Sequence, residues 1–159
     1  QATRMVAEYV ERLYEPAAEL GRRLAADSAA AAKELAAWKA KVRQAWPAVR
    51  VEHVESGAVG DVARVGDVIA IRAHVCLGRL TADDVDVQVL HGHATEGDRL
   101  KKGYKTEALG QLEDLGSGRF AFGGALALGR SGPFGYTVRI VPKHRLLVTS
   151  ADLGLVASA

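Results

Sequence analysis

Along the first 46 residues apolar side chains recur every three to four positions. Met5, Val6, Tyr9, Val10 and Leu13 form one stripe beside Arg4, Glu8, Glu11 and Arg12, which is the spacing of an amphipathic helix. Pro16 breaks or restarts that helix. Because proline is tolerated in a first turn, the pattern predicts a second helix from about residue 16, with Leu20, Leu24, Ala31, Leu35, Trp38 and Val42 on one side. Its end is expected near Trp46, since Pro47 disfavours helical geometry in the residue before it. The run Ala29 to Ala32 forms helix readily but carries little side-chain volume, so it suits close packing against another surface.

After Pro47 the period changes to two. Val49, Val51 and His53 alternate with Arg50 and Glu52; Ile69, Ile71, Ala73, Val75 and Leu77 alternate with Arg72, His74 and Cys76; Val85, Val87 and Val89 alternate with Asp86 and Gln88. These are half-buried strands. Further strands are predicted over 104–112, 119–128 and 135–141, with turns at Gly66-Asp67, Asp83-Asp84, 116–118 and 131–133. Six or seven short strands without a helix-length crossover predict an antiparallel, immunoglobulin-like β-sandwich. The expected fold class is mainly β: two N-terminal helices (1–46), then the sandwich (48–159).

Composition sharpens that division. Residues 1–46 hold 14 alanines and one of the 17 glycines, Gly21. A chain of 159 residues, 48% hydrophobic and 25% charged, has the make-up of an ordinary globular domain able to bury a core. With 21 basic against 19 acidic side chains it lacks the clustered field that nucleic acid or an anionic membrane requires, so neither partner is expected. No apolar run approaches the roughly 18 residues of a membrane span and no leader pattern opens the chain, which sets a cytoplasmic location as the expectation. The single cysteine, Cys76, rules out an internal disulfide and a multi-thiolate metal site within one chain.

Candidate chemistry is sparse. His91 and His93 could face one side of a strand, but two nitrogens do not make a metal site, and His53, His74 and His144 are scattered in sequence. Cys76 has no neighbouring base to activate it and reads as an inert thiol. Asp83, Asp84 and Asp86 lack the ligand periodicity of a calcium loop and read as a solvated turn. Gly116-Ser117-Gly118 and Gly123-Gly124 are followed by strands rather than a helix, so they read as hairpin turns or bulges and not as a phosphate cradle. Sugar-binding sandwiches stack rings on exposed aromatics. Of Tyr104, Phe120, Phe122, Phe134 and Tyr136, the last four share parity with core positions, which leaves Tyr104 as the single candidate glucan contact. Catalytic, cofactor-binding and metal-ligating residues are expected to be none.

Three stretches carry a resemblance. Arg4-Met5-Val6-Ala7-Glu8-Tyr9-Val10-Glu11-Arg12-Leu13-Tyr14-Glu15-Pro16-Ala17 resembles the segment near the end of the catalytic body of bacterial α-glucan (glycogen or maltodextrin) phosphorylases. Gly132-Pro133-Phe134-Gly135-Tyr136-Thr137-Val138-Arg139-Ile140-Val141-Pro142, with Leu146-Leu147 and Asp152-Leu153-Gly154-Leu155, is similar to the closing segment of the long, actinobacterial-type members. Glu34-Leu35-Ala36-Ala37-Trp38-Lys39 through Trp46-Pro47, and Val49 to Val54, look like the join between helices and a C-terminal extension. The resemblance implies a parent enzyme that phosphorolyses α-1,4-glucan to glucose 1-phosphate with pyridoxal phosphate on a lysine. None of Lys33, Lys39, Lys41, Lys101, Lys102, Lys105 and Lys143 has that lysine's glycine-rich context, so no catalytic or cofactor residue carries over and this chain is expected to hold no cofactor itself. Together with the opening Gln1, the resemblance implies a C-terminal fragment whose helices pack on absent catalytic lobes. The sandwich would be a structural or assembly module, with a homo-oligomer as a further partner; an accessory glucan-binding module is the alternative.

Overall fold

The computed structural model of the chain describes residues 2–57, 64–95, 99–129 and 131–159. The N-terminal part is a helical rod: α1 (Ala2–Tyr9), a π-helical turn (Val10–Tyr14) and α2 (Glu15–Ala45) follow without a break. Pro16 therefore does not interrupt the path. A proline lacks the N–H that would bond back to residue 12 and crowds that carbonyl. The widened turn just before it, in which the Glu15 N–H bonds the Val10 carbonyl five residues back, accommodates the ring. Ala29, expected in regular helix, has a φ of +59° and distorts α2 locally, at a cost of about 1–2 kcal/mol for an L-residue. The helix ends at Ala45 and a 3₁₀ turn, Trp46–Ala48, delivers the chain to the sheets.

Eight strands follow among the described residues: β1 (Arg50–Ser56), β2 (Val68–Cys76), β3 (Val85–His93), β4 (Lys105–Ala108), β5 (Gly110–Gly116), β6 (Arg119–Ala127), β7 (Phe134–Pro142) and β8 (Ala157–Ser158). They form two four-stranded sheets, ordered β1-β2-β6-β5 and β4-β3-β7-β8, with every pairing antiparallel. The inward set is the alternating one: Ile71, Ala73 and Val75 of one sheet and Val87, Val89, Val138 and Ile140 of the other are buried in one shared cluster.

Three expectations are corrected. The strand expected over 104–112 is two strands in different sheets, because Leu109 turns inward between them and its N–H bonds the Val87 carbonyl. His53 does not continue the inward face of Val49 and Val51: the register shifts between Val51 and His53, so His53 is exposed and Val54 packs on the core instead. Gly123-Gly124 lie inside β6, while the bulges belong to its partner β5. Only the 116–118 glycines make a hairpin turn, in which the Gly118 backbone is so close to Gly78 that an added Cβ would stand 2.1 Å from the Gly78 carbonyl oxygen.

Candidate functional site

The C-terminal part of α2 and the sheets are joined by one polar clasp in an apolar seam. Leu35, Trp38, Val42 and Ala45 recur at helical spacing and are buried against the core, Val42 completely. Beside them Thr81 opens a short 3₁₀ turn, Ala82–Asp84, by a reciprocal capping box with Asp84. That cap aims the Asp84 carboxylate at the helix. Trp38 Nε1 donates to Oδ1 at 2.8 Å, Lys41 Nζ to Oδ2 at 2.7 Å, and the Thr81 N–H and Oγ1 to Oδ2 at 2.9 and 3.0 Å. Asp84 is 7% exposed, so the solvated-turn reading fails at this residue. Burial by itself would raise its pKa, but the hydrogen bonds from Lys41, Thr81 and Trp38 outweigh it and hold the carboxyl below its ordinary value.

The clasp has a second tier. The Trp38 and His144 rings lie 4.6 Å apart, and the His144 Nδ1 accepts from the Leu146 N–H at 3.2 Å. That acceptor role assigns the neutral ring's proton to Nε2, which faces Glu34 at 3.5 Å, while Arg145 donates to the other Glu34 oxygen at 2.5 Å. The contacts of Glu34, Trp38 and Lys41 join the helix to the turns that precede β3 and follow β7.

Toward the other end of the rod the side chains are bare. Met5, Val6, Tyr9, Val10 and Tyr14 are all exposed, Tyr14 at 69%; the side chains of Leu13 and Leu20 lie outside the described residues.

Other singled-out groups are dispersed or self-contained. His91 is buried and its Nε2 meets Glu107 Oε1 at 2.9 Å, whereas His93 is exposed. His53 and His74 prove to be cross-strand partners, their Nε2 atoms 3.7 and 3.6 Å from the same Glu55 oxygen. Among the described residues no three ligating side chains converge as a metal site. Cys76 is buried. Glu52 is gripped by Arg119 at 2.7 Å and Arg50 at 2.8 Å; the Arg119 hydrogen bond leads in holding its pKa below the ordinary carboxylate value. Tyr104 is 46% exposed and its backbone crosses close over Gly92, with Phe120 and Phe122 buried and Phe134 and Tyr136 packed against the core. The Thr81-x-x-Asp84 spacing is a capping signature readable in the sequence; the partners Trp38 and Lys41, more than 40 residues away, are not.

No helix among the described residues is long and apolar enough to cross a membrane. Comparison with known proteins supplies what this geometry cannot. Residues 46–159 match the family described as "Glycogen phosphorylase C-terminal domain". Over 158 residues, 99% of the chain, the sequence is 37% identical to glycogen phosphorylases of Mycobacterium bovis and Mycobacterium tuberculosis, and over 156 residues, 96% of the chain, it is 32% identical to a maltodextrin phosphorylase of Thermococcus litoralis. The matched region is 18% of the length of each of these relatives. The chain thus belongs to the glycogen phosphorylase C-terminal domain family.

Proposed function

We propose that this chain is a non-catalytic, structural C-terminal portion of a cytoplasmic α-glucan phosphorylase, the parent reaction being phosphorolysis of α-1,4-glucan to glucose 1-phosphate. The observation that carries the reading is a helix with two fates. One end is locked to the sheets through Trp38, Lys41 and Asp84, and the other presents an uncovered apolar stripe. An exposed stripe of this kind marks a surface made for a partner. The partner proposed is the catalytic body of the parent enzyme; the match covers 18% of the relatives' length and leaves room for one. The sheets are read as an immunoglobulin-like sandwich, supported by their strand order: β1-β2-β6-β5 and β3-β7-β8 follow the order of the two sheets of a constant-type domain, with β4 added.

The residues present do not fit a pyridoxal phosphate site. Lys33, Lys41, Lys101, Lys102, Lys105 and Lys143 are exposed, Lys39 is half-buried, and Lys41 is committed to Asp84. A Schiff-base lysine needs a desolvated pocket.

The test is removal of residues 48–159 from the parent enzyme. The reading predicts altered oligomer size or stability with the chemical step retained. Titrating the 159-residue chain with maltoheptaose should leave its amide shifts unchanged; saturable shifts centred on Tyr104 would favour the glucan-binding alternative.

A further inference from the structure

Three chemistry-bearing side chains stand together on the outer face of the β1-β2-β6-β5 sheet. The register shift between Val51 and His53 turns His53 outward and makes it the cross-strand partner of His74. Bulges re-aim side chains in this way. Glu55, two residues further along β1, shares that face, because alternate residues of a strand point to the same side. Both histidines present Nε2 to one carboxylate oxygen: Glu55 Oε1 lies 3.7 Å from that of His53 and 3.6 Å from that of His74.

Neither separation is a hydrogen bond, which would bring the atoms to about 2.7–3.2 Å. Both are close to the spacing of ligands that share an ion. With metal–ligand distances of about 2.0–2.1 Å, a tetrahedral site sets nitrogen and oxygen ligands about 3.4 Å apart and two imidazole centroids about 5 Å apart. The ring centroids of His53 and His74 are 6.4 Å apart. As the rotamers stand, the three side chains do not close on one point. Closure asks the rings to approach by about 1 Å, and the side chains of His53 and Glu55, 65% and 53% exposed, have room to rotate. The cations nearby are already committed, Arg72 to Glu113 and both Arg50 and Arg119 to Glu52, so Glu55 keeps its charge available.

We infer that His53, His74 and Glu55 form a binding site for a late first-row divalent cation, Zn²⁺ in the first instance, with water in the fourth position. The donor set selects the class. Imidazole suits zinc, nickel and copper, whereas magnesium and calcium call for oxygen ligands. The site goes beyond the structural reading above and does not depend on it. β1 is an edge strand that follows the helix through the 3₁₀ turn, so an ion held between β1 and β2 clips that edge to the sheet.

The experiment is titration of the 159-residue chain with zinc chloride near neutral pH, read by amide and imidazole shifts. Saturable shifts at His53, Glu55, His74 and their strand neighbours are predicted, with half-saturation below about 100 µM. His53→Asn and His74→Asn should each weaken binding at least tenfold. His93→Asn, at an exposed histidine of the other sheet, should leave it unchanged. Magnesium chloride should move none of these resonances. Failure to saturate by about 1 mM zinc, shifts centred on His91, His93 or His144, or binding that survives both His53→Asn and His74→Asn would overturn the inference. Two histidine variants guard against a folding defect in one.

Discussion

The two ends of the helical rod obey the same rule of spacing and end in opposite environments. Met5, Tyr9 and Val10 repeat as regularly as Leu35, Trp38 and Val42, yet the first set is exposed and the second is buried. Periodicity states that a face exists; it does not say what covers it. The buried end differs in having a partner within the chain, and in a polar group that fixes how the two fit. Asp84 accepts from Trp38 and Lys41 only in one placement of the helix on the sheets. An apolar seam alone would hold the helix but could tolerate sliding, whereas a buried carboxylate left unpaired would cost several kcal/mol.

The sharpest way to break the comparison is an equal truncation at each end. Trp38→Ala removes a buried indole and its bond to Asp84 and should destabilise by about 3–5 kcal/mol in chemical denaturation. Tyr9→Ala should fall within about 0.5 kcal/mol in the isolated chain, because an exposed ring loses little. Similar losses at both positions would erase the distinction.

Asp84→Asn comes next. It keeps the shape but removes the charge that Lys41 and the Thr81 cap meet, with an expected loss of about 1–3 kcal/mol. The acid limb checks the same group. Its folded pKa lies below the ordinary 3.8, so its contribution is present above that value and is lost as pH falls through the lower, folded pKa. Stability of the wild-type chain should therefore decline below about pH 4 more steeply than that of Asp84→Asn. The smallest expected effect is at the exposed Glu34–Arg145 pair, where Arg145→Ala should cost no more than about 1 kcal/mol, diminishing with added salt.

The sequence itself shows much of this comparison. The inward strands around Ile71, Val87 and Val138, the helix end before Pro47 and the hairpin at 116–118 follow from local spacing and turn chemistry. What is not legible depends on pairing across long separations. His53 is exposed because of a bulge set by its pairing with β2, and Leu109 divides two strands because the chain changes sheets there. The clasp was half legible: the Thr81 and Asp84 cap is local, but Trp38 meets it only after the whole topology has formed. His53 and His74, 21 positions apart, are neighbours for the same reason. The family resemblance, carried by motifs along the whole chain, agrees with the family to which the chain proves to belong.

Hydrogen exchange along the rod tests the central claim most directly, namely that the sheets and the C-terminal part of α2 form one cooperative unit while the N-terminal stripe awaits a partner. In the isolated chain, amides of residues 36–45 should be protected to nearly the same free energy as those of β2 and β3, and amides of residues 6–14 should exchange through low-energy local opening. Uniform protection along the whole rod in a monomeric sample, or free exchange at residues 36–45 while the sheets stay protected, would contradict the account.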